Sequence, residues 1–187
     1  DGVQKADTQI GRVWEAIQYR EKNFNEDWLI IITTDHGRTA DGFGHGGHSE
    51  RERTIWIATN AQNLNSHFRN TPEMVDIFPS IAAHLELELP KSLAMELDGT
   101  SFIGSADAAD LNAVLNGNEI KLTWKPYSEK TGRIWVTATN NFQTGGLDNY
   151  WMMGEVKLDR GSATFPTQGL ESDFYKVVLE TPSGYLN

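Results

Sequence analysis

The sequence predicts an α/β unit over residues 1–105, followed by an all-β unit over residues 106–187. Three observations predict this class: apolar residues at helical spacing near the start, an unbroken β-branched run over residues 28–34, and short alternating segments beyond residue 105. The change of pattern near residue 105 lies in a small, polar stretch, which is typical of a boundary between units.

The first unit is predicted to open with a helix of about four turns. Its apolar stripe consists of Ile10, Val13, Trp14 and Ile17, at spacings i, i+3, i+4 and i+7. The run Trp28–Thr34 then predicts a strand that is covered on both faces, as in a parallel sheet. Thr54–Thr59 predicts a second strand.

A second helix is predicted from Thr71–Pro72 to about Leu87, because a capping residue and a proline suit the first helical turn. Pro79 lies inside this pattern. Since proline lacks a backbone donor and clashes with the preceding turn, a bend or restart is expected there.

The second unit is predicted to contain short strands separated by turn-rich segments such as Asn116–Asn118 and Thr144–Gly146. The candidate strands are Glu119–Lys125, Arg133–Asn140, Tyr150–Leu158 and Phe174–Thr181. This spacing favours a β-sandwich of the immunoglobulin or fibronectin type.

Composition excludes several function classes. Acidic residues outnumber basic ones by 26 to 16, and the net charge of −10 disfavours binding to a nucleic-acid polymer. The absence of cysteine excludes disulfides, thiolate zinc sites and a cysteine nucleophile. No apolar run reaches the roughly 18 residues of a transmembrane helix, so no membrane-spanning segment is expected. The sequence opens in a helical pattern without an initiator methionine, which is typical of a fragment.

The first chemically suggestive motif, Asp35-His36-Gly37, follows the hydrophobic strand. The ends of strands in α/β sheets commonly position ligands. A carboxylate beside an imidazole supplies oxygen and nitrogen donors that zinc accepts, and the glycine lets the backbone turn away. For the dipeptide taken alone, a strand end that merely caps a loop is the favoured interpretation.

The second motif is Gly44-His45-Gly46-Gly47-His48, which adds two imidazoles in a glycine-rich loop. Glycines on both sides of His45 permit close approach to a cation. A flexible loop without function remains the alternative for this segment, and hydrogen bonding alone is the alternative for His48.

The series TTDHG, GHGG and ERERTIWIAT resembles the C-terminal motifs of the alkaline phosphatase superfamily, in particular type I phosphodiesterases, nucleotide pyrophosphatases and related sulfatase-like enzymes. The resemblance continues through Glu73–Ala83 and Leu97–Phe102, and it covers roughly residues 1–103. It implies a phosphate-ester hydrolase with two divalent metal ions, expected to be zinc, in a longer parent protein. It also implies a periplasmic, secreted or surface-attached bacterial protein.

The resemblance assigns Asp35 and His36 to one metal ion and His45 to the other, with His48 near the ligands or on the substrate side. It places the Thr or Ser nucleophile and the remaining ligands in an upstream part of the fold, so this chain is expected to contain no catalytic nucleophile and to be inactive alone. In the parent, two metal ions would activate the nucleophile and hold the phosphoryl oxygens.

Two other features admit two interpretations each. The arginines of Glu50–Arg53 suit a substrate phosphate, but a solvated charged loop is favoured. The aromatic residues Trp124, Trp135, Tyr150 and Trp151 suggest a glycan-binding face, and this is the main alternative function: a non-catalytic glycan- or partner-binding β-sandwich on an α/β support. Strand alternation instead places Trp124 in the core and Trp135 outward.

Overall fold

The computed structural model describes residues 2–167, 169 and 172–187. The chain is a mixture of helices and antiparallel sheets. Its helices are α1 (Gly2–Phe24), α2 (Glu50–Arg53), α3 (Ile77–His84) and α4 (Lys91–Ala94), with short 3-10 turns at Met74–Asp76, Asn141–Thr144 and Leu158–Arg160. The strands are β1 (Ile31–Thr33), β2 (Ile57–Thr59), β3 (Ala108–Asn116), β4 (Glu119–Pro126), β5 (Thr131–Thr137), β6 (Trp151–Lys157), β7 (Ser162–Pro166), β8 (Lys176–Thr181) and β9 (Gly184–Leu186).

The predicted first helix is confirmed as α1, which begins and ends beyond the predicted stripe. Of the four stripe residues only Ile17 is buried, while Val13 and Trp14 remain exposed. The end of the helix is tied to the following segment through Glu26, whose carboxylate accepts hydrogen bonds from Arg20 Nε (2.6 Å) and Trp28 Nε1 (2.7 Å).

The first strand was predicted to lie in a parallel sheet, and this prediction is wrong for its pairing with β2. β1 is shorter than the predicted Trp28–Thr34 strand, is only half-buried, and pairs antiparallel with β2. The connection, residues 34–56, is long enough for a parallel crossover, but it contains only the one-turn helix α2 and no longer crossover helix. The pair is locked by Asn60, whose side chain accepts from Ile30 N (2.8 Å) and donates to Trp28 O (2.7 Å).

The second predicted helix is present in a shortened form, as a 3-10 turn that leads into α3. The restart expected at Pro79 occurs just before it, because α3 begins at Ile77 and Pro79 falls in its first turn. A proline there costs no intrahelical hydrogen bond.

The second half forms two antiparallel sheets with strand orders β3-β4-β7 and β6-β5-β8-β9. The four predicted strands are confirmed with shifted ends, and β3, β7 and β9 were missed. Side chains from both sheets share one apolar core, which includes Leu122, Ile134 and Leu179, each fully buried. Trp124 is confirmed as a core residue, and its indole Nε1 donates to Leu158 O (2.7 Å).

Several contacts cross the predicted boundary near residue 105. Lys176 Nζ binds the carboxylate of Glu96 across this boundary (3.0 Å) and that of Asp148 within the second half (2.5 Å). Lys91 Nζ binds Glu180 (3.1 Å) and lies 3.9 Å from the centroid of the Trp135 ring. The two halves are therefore joined by charged and aromatic contacts as well as by the chain itself.

Candidate metal centre

The segment that follows β1 turns sharply at Gly37. The Gly37 N–H donates to Glu52 O (2.7 Å), and a Cβ at this position would lie 2.0 Å from Arg51 O. Only glycine fits so close to the backbone of α2. This contact holds the Asp35–His36 segment against the helix that follows the glycine-rich loop.

A tight turn then returns the chain toward His36. Thr39 N donates to Gly44 O (2.9 Å), and Gly44 N donates to Thr39 Oγ1 (2.8 Å). Asp41 closes the turn by accepting from the Thr39 hydroxyl and from Phe43 N, and these hydrogen bonds lower the pKa of its carboxyl group. Gly42, at a φ of 79°, supplies the left-handed conformation that the turn requires.

The turn places His45 on His36. The two imidazole rings are stacked, with centroids 4.3 Å apart and an interplanar angle of 22°. Asp35 Oδ2 lies 3.5 Å from His36 Nε2, and the Asp35 side chain is 86% exposed. The three residues predicted as metal ligands therefore lie together at the end of β1.

The tautomer of His36 follows from its neighbour. His36 Nδ1 lies 2.6 Å from Gly37 O, and because a carbonyl oxygen only accepts, Nδ1 carries the proton. In the neutral ring Nε2 then bears the lone pair. This is the arrangement that metal-binding histidines adopt, with one nitrogen donating to the protein and the other available to the ion.

The glycine-rich loop ends on a buried carboxylate that sequence analysis missed. Glu52 accepts hydrogen bonds from Ser49 Oγ (2.6 Å) and Gly47 N (2.9 Å). These bonds lower the pKa of Glu52, and the nearby charge of His48 adds to the effect. His48 thus lies beside Glu52, while His45 faces His36. The Ser-x-x-Glu spacing at Ser49–Glu52, typical of a helix start, is the signal that could have identified this contact.

The donor set is incomplete in the part of the chain that the structure describes. Across residues 2–167, 169 and 172–187, no three His, Asp or Glu side chains are arranged to hold one metal ion. The 3.5 Å between Asp35 Oδ2 and His36 Nε2 nevertheless suits two ligands of one zinc ion at bond lengths of about 2.0–2.2 Å. The residues fit part of a metal site.

The structure also places the arginines that were considered for a phosphate contact and the aromatic residues that were considered for a glycan-binding face. Arg51 Nε donates to Arg38 O (3.1 Å), so this guanidinium braces the loop. Trp124 is buried and Trp135 is half-buried under Lys91, whereas Trp151 is exposed. Of the four aromatic residues considered for a binding face, Trp124 therefore lies in the core and does not contribute to a surface.

A second network lies away from the loop and was also missed. The buried Asp76 carboxylate accepts from His67 Nε2 (2.8 Å), Glu73 N (2.6 Å) and Thr100 N (2.7 Å). Both His67 and Asp76 line a cavity of about 310 Å³. Burial lowers the pKa of His67, but the hydrogen bond and charge of Asp76 outweigh burial and leave this pKa raised.

The raised pKa of His67 predicts a loss of stability with rising pH. The contribution of the charged pair is fully present below the unfolded pKa of about 6.5 and disappears as pH rises through the higher folded pKa. Urea unfolding followed by tryptophan fluorescence from pH 5.5 to pH 9 should show this decline. His67→Gln should flatten that part of the profile, and an identical profile in the variant would contradict the assignment.

None of the helices in the described part of the chain has both the length and the apolar character required to cross a bilayer. Searches against protein-family models, curated proteins and solved structures found no match.

Proposed function

We propose that this chain is part of a metal-dependent phosphoric ester hydrolase of the alkaline phosphatase superfamily, carrying part of its two-metal site. The observation that supports this most strongly is the meeting of Asp35, His36 and His45 at the end of β1, with the two imidazole rings 4.3 Å apart. The motif series supplies the reaction class, a phosphodiesterase or phosphatase. In this proposal the two sheets of residues 106–187 form an immunoglobulin- or fibronectin-like sandwich attached to the enzyme.

Each residue has a separate role in the proposed site. Asp35 and His36 would hold one ion through Oδ2 and Nε2, and the Gly37 carbonyl would keep His36 in the required tautomer. His45 would hold the second ion. When bound, the metal ions would supply charge to the phosphoryl oxygens and lower the pKa of the attacking group.

The proposal assigns no turnover to the chain alone. In the family pattern, the nucleophile and the remaining ligands lie outside the motifs matched here. Rigorously purified chain with added Zn²⁺ should therefore not hydrolyse a nitrophenyl phosphodiester. Chelator-sensitive hydrolysis would contradict this part of the proposal.

Zinc binding by the full 187-residue chain tests the site directly. Isothermal titration with ZnCl2 should detect binding, and His36→Ala or His45→Ala should weaken it about 10-fold or more because each removes an imidazole donor. His48→Ala is the matched control, since it removes an exposed imidazole from the same loop, and it should change the affinity less than about threefold.

Two outcomes would overturn the assignment. No zinc binding by the wild-type chain would refute the metal site. A loss of binding in His48→Ala but not in His45→Ala would show that the loop had been aligned to the wrong histidine.

A further inference from the structure

Glu52 connects the two segments that carry the histidines. Its backbone carbonyl accepts from Gly37 N (2.7 Å), directly after His36, and its carboxylate accepts from Gly47 N (2.9 Å), shortly after His45. It is buried, although Glu50 and Arg51 on the same helical turn are exposed.

The carboxylate of Glu52 is itself held in place. Ser49 Oγ donates to Oε2 (2.6 Å), and Glu52 N donates back to Ser49 Oγ (3.3 Å), which forms the N-cap of α2. These two hydrogen bonds fix the Glu52 side chain, whose carboxylate accepts from the loop backbone. The position of the carboxylate therefore follows from the start of the helix.

A side chain at position 47 would require the Glu52 carboxylate or the loop backbone to shift. A Cβ on Gly47 would lie 2.6 Å from Glu52 Oε2 and 2.8 Å from Oε1. The backbone of the Gly46–Gly47 segment thus rests on the carboxylate itself. A displacement of the Glu52 side chain would remove the hydrogen bond from Gly47 N that holds this end of the loop.

We propose that Glu52 is a positioning residue that holds His45 against His36 and thereby sets the metal affinity of the pair. The expected effect on metal affinity rests on the proposed metal site, whereas the positioning of the two rings can be tested without metal. Glu52 acts through the loop backbone and is not itself a ligand in this proposal.

The first test uses ring geometry in the metal-free chain. Stacked imidazoles shift one another's ring protons, so ¹H–¹³C correlation spectra of the wild-type chain should show perturbed His36 and His45 signals. In Glu52→Ala both sets should move toward the values of an unstacked histidine. Unchanged ring signals in this variant would overturn the inference, whether or not zinc binds.

The second test is zinc titration of matched variants. Glu52→Ala should weaken zinc binding about 10-fold, whereas Glu50→Ala, an identical change on the exposed side of the same turn, should leave it within about twofold. Glu52→Gln keeps an acceptor for Gly47 N and should recover most of the affinity. Recovery would show that hydrogen bonding, and not the negative charge, is responsible.

Gly47→Ala is an independent probe that keeps the Glu52 residue but separates its carboxylate from the loop backbone, because the new Cβ would lie 2.6 Å from Oε2 and 2.8 Å from Oε1 if neither moved. It should weaken zinc binding and shift the His45 ring signals in the same way as Glu52→Ala. Far-UV circular dichroism should be unchanged in all variants. If wild-type chain binds no zinc, the metal proposal fails while the ring signals still decide the positioning role; if Glu52→Ala and Gly47→Ala bind like wild type, the inference fails and the metal site stands.

Discussion

Asp76→Ala is expected to lower the free energy of unfolding by about 3–5 kcal/mol. The reason is that the buried hydrogen-bond donors that now bind the Asp76 carboxylate would lose their acceptor. The Asp76 side chain is 4% exposed, and it accepts from two backbone N–H groups and from His67. Removing it leaves these donors without their acceptor inside the structure. Urea unfolding at pH 6, monitored by circular dichroism, measures the difference.

The matched control for this prediction is Asp98→Ala. Asp98 lines the same cavity as Asp76 but is exposed, so its removal should change the unfolding free energy by less than about 0.5 kcal/mol. An effect below about 1 kcal/mol for Asp76→Ala would show that the network contributes little to stability. Asp76→Asn separates charge from shape, because its amide retains one acceptor oxygen.

The core of the second half was predictable because alternation is a direct consequence of strand geometry. Ile120, Leu122 and Trp124 share one face of β4, and the structure buries all three. β3 was missed because Ala108 and Ala109 gave no β-branched signal and its regular pattern is broken by a bulge beside Asp110. Asp110 has a φ of 55°, which no alternation pattern reveals.

The pairing direction of β1 could not be predicted from its own residues. The run Ile30–Thr33 is equally suited to a covered parallel strand and to the antiparallel pair observed. The two arrangements differ in the connection to β2, which in the structure holds the single-turn helix α2 instead of a longer crossover helix. Hydrophobicity therefore predicted the strand, but not its partner.

The candidate ligands could be predicted from their residue types and motifs. Their arrangement in space could not, because it depends on how the loop folds back. Asp35, His36 and His45 were identified by residue type and by resemblance, but the stacking of the two rings depends on the turn at Thr39–Gly44. Glu52 appeared as one of several charges in a polar run. Its burial becomes visible only when the helix cap and the loop are placed together.

Lys176→Met is expected to lower the free energy of unfolding by about 3 kcal/mol at pH 7, because it leaves the buried Asp148 carboxylate without its cation. The Asp148 side chain is 2% exposed, and the methionine keeps most of the volume of the lysine stem. The same substitution removes the contact of Lys176 with Glu96, which joins the two halves of the chain. Lys121→Met, on the exposed face of β4, is the control and should be nearly neutral.

The pH dependence of this variant identifies the cause. Burial raises the pKa of Asp148, but hydrogen bonding to Lys176, with further bonds from Asn141 N and Thr139, outweighs burial and leaves the pKa lowered. In the wild type, the contribution of Asp148 is therefore present above the unfolded pKa of about 3.9 and is lost as pH falls through the folded value. In Lys176→Met the Asp148 carboxylate lacks the lysine ammonium group, so its buried negative charge destabilises the fold until acid protonates it. The stability gap between the two proteins should narrow from pH 7 to pH 4, and a gap that stays constant would assign the effect to lost packing instead of to the ion pair.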